Sequence, residues 1–206
     1  MPPKVKFTKE EIVAAAVNVA RRRGLASVTT RDIAAELGVS TRPIFTYFKS
    51  MDEVRAEIRA AAAACFGAYM DEGLRAPVPF YGVGMQYLRF AQQEPELYKV
   101  LFLSKEAGGA MAAMRQLQDA VRPALCEIYH MTPAEADRYA RDMWLVSHSV
   151  AALIVTGNCP YTDEQIGKIF TGFSVAVCKA IKEIPGFTDG SFDRDAVFRG
   201  IIGQNA

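Results

Sequence analysis

The sequence predicts an all-α fold: an N-terminal three-helix unit containing a helix-turn-helix, followed by a larger helical domain. Three observations lead there. Apolar residues recur at helical spacing along nearly the whole chain, Ser/Thr-first capping signals precede several of these stretches, and β-type alternation of useful length is missing. With 206 residues, 50% of them apolar, the chain can build one large or two small packed cores, which argues against a disordered or fibrous protein.

The first helix follows Thr8-Lys9-Glu10-Glu11, where Ile12, Ala16, Val19 and Ala20 fall at i, i+4, i+7 and i+8 and form one buried stripe. Gly24 marks its end. Thr29 caps a second helix with Asp32 at its third position, and Ile33, Ala34 and Leu37 make the inner face. Gly38-Val39-Ser40 breaks that helix. Ser40 or Thr41 then caps a short third helix through Phe48, with Pro43 in the first turn, where it removes no intrahelical bond. Long helices are predicted at 50–74, 78–94, 95–103 and 109–130. Thr132-Pro133-Ala134-Glu135 and Thr162-Asp163-Glu164-Gln165 each place Glu or Gln three residues after Thr and open two more, ending at Gly157 and before Ile184-Pro185-Gly186. A short tail helix is expected over 193–202.

Charge is unevenly divided. Residues 1–50 hold nine Lys/Arg against four Asp/Glu, a net of +5, and residues 51–206 hold fifteen against nineteen, a net of −4, which together return the chain's +1. A basic N-terminal module suggests that only this part meets a polyanion, although solvated basic faces also give such a balance. The longest uninterrupted non-polar stretch, 60–70, is short and Ala-rich, and the N-terminus lacks the apolar core of a signal peptide, so a soluble cytoplasmic protein without membrane contact is expected. Four cysteines without a C-x-x-C and only two histidines suggest neither disulfides nor a zinc site. A Gly-rich phosphate loop, an H-E-x-x-H and a nucleophile with a paired base are all missing, so no catalytic residue, metal or cofactor is assigned and an enzyme using an aromatic cavity is the disfavoured alternative.

Ile33-Ala34-Ala35-Glu36-Leu37-Gly38-Val39-Ser40 carries the strongest signal. A small Ala34 lets the next helix approach, Gly38 takes a positive φ, and Val39 enters the core between the helices. Ile44 and Phe48 then face inward, leaving Thr41, Arg42, Pro43, Phe45, Thr46 and Tyr47 on the outer side, where base edges in a major groove could be reached. An ordinary helical hairpin would satisfy the same spacing.

The stretch from Phe7 to Ile58 resembles the DNA-binding domain of the TetR/AcrR transcriptional regulators. The resemblance rests on Ala20, Gly24-Leu25, Thr29 to Ala34, Leu37-Gly38-Val39-Ser40, and Phe45-x-Tyr47-Phe48 followed by Lys49-Ser50. It implies a homodimer on double-stranded operator DNA, with a DNA-binding domain at 5–50, its helix-turn-helix at about 29–48, and a regulatory and dimerisation domain at 51–206. Two positions depart from the family pattern: Phe45 stands where a Tyr usually meets the DNA backbone, and Met51 replaces a Lys. Tyr47, Lys49 and the hydroxyls of Thr29 and Thr30 are expected to supply backbone contacts instead, with Lys4, Lys6 and Lys9 as a basic arm. Arg31 and Ser40 complete the expected DNA-contacting set. Arg42 is the candidate for reading a guanine edge, a phosphate contact being its other reading.

The resemblance also implies a ligand cavity in the second part, which is rich in aromatics and Met. Phe66, Tyr69, Tyr87, Phe90, Phe102, Met114, Trp144 and His148 are the candidate lining, and each would serve equally as core. Tyr69 and Tyr87 stand out because buried hydroxyls need partners. Trp144 to His148 resembles a Trp-x-x-x-His-Gly signature of one subgroup, with Ser149 in place of Gly. His148 would hydrogen-bond a ligand or satisfy a core partner. Apolar faces of the last two long helices, including Leu145, Ala152, Ile169, Phe173, Val177 and Ile181, are expected to pair across a two-fold axis. The expected function is a repressor released from its operator by a small hydrophobic or amphipathic ligand. A DNA-binding regulator without such an effector is the alternative.

Overall fold

The computed structural model describes residues 7–104 and 109–203; Lys4 and Lys6 of the expected basic arm lie outside them. Every element among the described residues is helical: α1 (Lys9–Arg23), a 3-10 turn (Leu25–Ser27), α2 (Thr30–Leu37), α3 (Ile44–Tyr47), α4 (Met51–Leu74), α5 (Pro79–Gln93), α6 (Pro95–Tyr98) running into a π-type segment (Lys99–Leu103), α7 (Gly109–Ile128), α8 (Pro133–Val155), α9 (Asp163–Glu183) and α10 (Arg194–Ile201).

Local chemistry explains the starts. Thr8, Thr29, Thr132 and Thr162 each cap a helix reciprocally with the acid or amide three residues on, so that two otherwise orphaned backbone donors are satisfied per helix. Ile12, Ala16, Val19 and Ala20 of α1 are buried, as their spacing predicts, and meet Ile33 and Ala34 of α2 with Ile44 and Phe48 around α3. Val54 and Ile58 are buried as well, so the first turns of α4 close the same small core against α1. α4 then packs along α5, and α5, α7 and α9 surround α8. Arg21 of α1 donates from Nε to Glu94 at the end of α5 (2.8 Å), tying the N-terminal unit to the larger one.

Three expectations need correction. The third helix is a single turn, Ile44–Tyr47, with no side chain capping it, because Pro43 brings no N–H and disfavours helical backbone at Arg42. The residues before it are held by i to i+3 bonds from Ile44 N–H to the Thr41 carbonyl and from Thr46 N–H to the Pro43 carbonyl (both 3.2 Å), with Thr46 Oγ1 donating to the Arg42 carbonyl (3.4 Å). Val39 is half-buried rather than set in the core. Ile181, expected on an outer face, is covered within the chain at 6% exposure.

Candidate nucleic-acid interface and interior polar cluster

Gly38 makes the bend between α2 and α3. It adopts φ 67 and ψ 32, left-handed backbone in which its missing Cβ avoids strain, and its N–H closes on the last turn of α2. Val39 N–H bonds the Ala34 carbonyl at 2.9 Å, which holds the turn tight over a small side chain. With Ile44 (1%) and Phe48 (3%) anchored inward, Phe45 is 59% and Tyr47 40% exposed, and Arg42 and Thr46 are also exposed. Arg31, Ser40 and Lys49 are exposed, and Thr30, Thr41 and Pro43 are half-buried.

Ion pairing sorts the basic residues of this unit. Arg22 pairs with Glu36, Arg23 with Asp32, Lys9 with Glu57 and Arg21 with Glu94. Arg31, Arg42 and Lys49 make no ion pair among the described residues, and they stand in the first turn of α2, in the turn entering α3 and just past α3. The charge that remains uncompensated is thus concentrated around the helix-turn-helix.

Two of the expected backbone-contacting hydroxyls are already engaged. Thr29 Oγ1 accepts from Asp32 N–H and donates to the Asp32 carboxylate, whose pKa is held below its ordinary value chiefly by that hydroxyl. Tyr47 Oη donates to the Phe7 carbonyl (2.9 Å) and ties α3 to the segment before α1. Both protons are used within the DNA-free chain, so a phosphate contact from either hydroxyl would exchange an internal bond for one to DNA. The signal available in the sequence was the capping box itself.

In the larger part, Phe66, Tyr87, Phe90 and Phe102 meet edge to face or tilted, with centroids 5.1 to 5.7 Å apart, and Tyr98 joins them. Inside lies a polar cluster. Tyr98 Oη is 2.8 Å from His148 Nδ1, Tyr87 Oη is 3.1 Å from both, and Trp144 stacks on the His148 ring at 4.9 Å and 15°. One arrangement that satisfies the cluster has Tyr98 donating to an unprotonated Nδ1 and Tyr87 donating to Tyr98. Burial pushes Tyr98 up to about 12 and Tyr87 higher still, and it lowers His148, so all three are neutral near pH 7. The Trp144 Nε1–H is a buried donor with no hydrogen-bond partner among the described residues. Tyr98 belongs to the aromatic-rich stretch but not to the eight expected lining residues, because it falls in a four-residue helix after a proline, where no periodicity marks a face.

Tyr69 lies outside this cluster, bonding Gln93 (2.8 Å) and touching Phe90, while Met114 is buried in the general core. Two open spaces lie elsewhere. A groove of about 740 Å³ runs between the end of α4, α5 and the start of α9, and a chamber of about 270 Å³ lies between α5, α8 and α9. None of the eight expected pocket residues lines either space.

Residues 12–58 match the family model described as bacterial regulatory proteins, tetR family. No curated protein matches the chain. Similar solved structures include a TetR-like transcriptional regulator from Rhodococcus sp. RHA1 (16% identity, 85% of this chain and 96% of that one, TM-score 0.62). A putative transcriptional regulator from Pseudomonas aeruginosa PAO1 is comparable (17% identity, 84% and 93%, TM-score 0.62). So is a second Rhodococcus sp. RHA1 protein, of unknown function (19% identity, 87% and 98%, TM-score 0.64). At these identities the likeness is one of fold.

Proposed function

We propose that this chain is a TetR-type DNA-binding transcriptional regulator, a homodimer that represses from an operator and leaves it when a small hydrophobic or amphipathic ligand binds. The match over residues 12–58 supports the DNA-binding part, and the observation that carries the reading is the placement of Arg31, Arg42 and Lys49, exposed and without carboxylate partners among the described residues, at the ends of α2 and α3. Lys49 and Arg31 meet phosphates, Arg42 donates to a guanine edge, and the exposed Phe45 ring meets a thymine methyl. Thr30, Ser40, Thr41 and Thr46 offer further hydroxyls at the backbone.

Dimerisation is supported by apolar side chains left in water on the last two long helices: Leu145 (52%) and Leu153 (37%) on α8, Phe173 (50%) and Val175 (54%) on α9. Pairing them about a two-fold axis sets two recognition segments roughly 34 Å apart, one turn of duplex. Ligand binding that favours a different spacing of the two units shifts the population off the operator by its differential affinity. No helix among the described residues is long and apolar enough to cross a membrane.

The test is enrichment of bound duplexes from a random pool at stated salt, with sedimentation of the chain alone. A shared inverted-repeat sequence and a dimer at micromolar concentration are expected. No enrichment over random competitor would overturn the DNA reading.

A further inference from the structure

We propose that the groove between the end of α4, α5 and the start of α9 binds a small organic anion that carries an N–H or O–H donor and an apolar tail. This deepens the effector part of the proposed function and rests on it, by giving the effector a place and a chemistry. The α4 and α5 backbones touch at Gly73 and Gly82, where a Cβ on either would fall 2.3 to 2.6 Å from the other helix, and both glycines are among the residues lining the groove.

Three features of the walls define the ligand. Gln86 is among the groove's lining residues, and its Oε1 is buried without a hydrogen-bond partner among the described residues; a turn of this side chain that brings Oε1 to the groove lets a donor from outside the chain satisfy it. The rim carries two cations and two carboxylates: Arg89 faces Glu72 at 3.9 Å, Asp163 accepts from Gln92 Nε2–H at 2.9 Å and keeps its charge, and Arg75 makes no ion pair among the described residues. A carboxylate or similar anion completes that rim. Finally, Val78 and Tyr81 line both this groove and the 270 Å³ chamber, whose other walls include Phe80, Met143 and Phe170. The two spaces thus share a wall in which Tyr81 is 47% exposed, and an apolar tail in the groove lies against that wall.

N-octanoylglycine has all three features, and its ester analogue O-octanoylglycolate replaces the N–H by an oxygen and adds no group. Calorimetric titration of the 206-residue chain is expected to give saturable binding of the first probe and about tenfold weaker binding of the second, the factor expected when a buried acceptor is left unpaired. Gln86→Leu should bring the two probes to equal affinity, and Arg75→Ala with Arg89→Ala should weaken both about tenfold. The comparison of the two probes on the unaltered chain needs no variant to fold. The assignment is overturned if N-octanoylglycine does not bind at millimolar concentration, if the two probes bind the unaltered chain equally, or if the arginine replacements change nothing. The titration contains no DNA: a chain that holds its selected duplex but ignores the probes loses this site and keeps the regulator reading, and a chain that binds the probes but no duplex does the reverse.

Discussion

Gly73 of α4 and Gly82 of α5 lie backbone against backbone, and a Cβ built on Gly82 would fall 2.3 Å from the Gly73 carbonyl oxygen. Gly82→Ala therefore forces two helices apart rather than a side chain aside, and a loss of about 1 to 3 kcal/mol or more is expected in urea unfolding. Gly67 of α4 has open space at its Cβ, so Gly67→Ala is expected to stabilise by roughly 0.5 to 1 kcal/mol through helix propensity alone.

His148 makes stability depend on pH. Its folded pKa lies below the ordinary 6.5 because burial disfavours the imidazolium, so the unfolded chain takes up the proton first as pH falls. The stabilisation is complete above about 6.5, declines as pH drops from there, and is fully lost below the folded value. The melting temperature of the native chain should fall more between pH 7.5 and 5.5 than that of His148→Gln. Equal falls would contradict the assignment.

The fold was readable in the sequence to within a residue or two at most helix ends because capping boxes and apolar periodicity are local properties: Thr29 with Asp32, Thr132 with Glu135 and Thr162 with Gln165 form as spaced. The anchors Ile44 and Phe48 and the outward Arg42 and Phe45 followed from the same periodicity. What escaped depends on tertiary approach. Nothing local says that the Tyr47 hydroxyl meets Phe7 or that Tyr98 reaches His148, fifty residues away. The close approach of α4 and α5 needs Gly73 and Gly82 to meet, and neither glycine stands in a pattern that marks it.

Thr132→Ala removes the cap of α8, where Thr132 accepts from Glu135 N–H and Glu135 in turn bonds Thr132 N–H (2.7 Å) and Lys182 (2.9 Å). A destabilisation of about 1 kcal/mol is expected in thermal or urea unfolding, within the 0.5 to 2 kcal/mol range of such caps.

Leu145 and Phe173 should decide association. Leu145→Glu with Phe173→Glu is expected to leave helix content and the melting profile of the chain's own core intact while sedimentation shifts from dimer to monomer, because both side chains are half exposed in the single chain (52% and 50%). A dimer that survives both charges would place the interface elsewhere.

The most direct test of the DNA-binding claim is the salt dependence of affinity for the selected duplex, measured for the native chain, for Lys49→Ala and for Arg42→Ala. Lys49→Ala is expected to weaken all duplexes alike and to lower the slope of log affinity against log salt by about one per subunit, and Arg42→Ala to lose about 1 to 3 kcal/mol of discrimination at one guanine. Unchanged slope in the first variant together with unchanged discrimination in the second would contradict the claim that the surface around α3 grips the duplex.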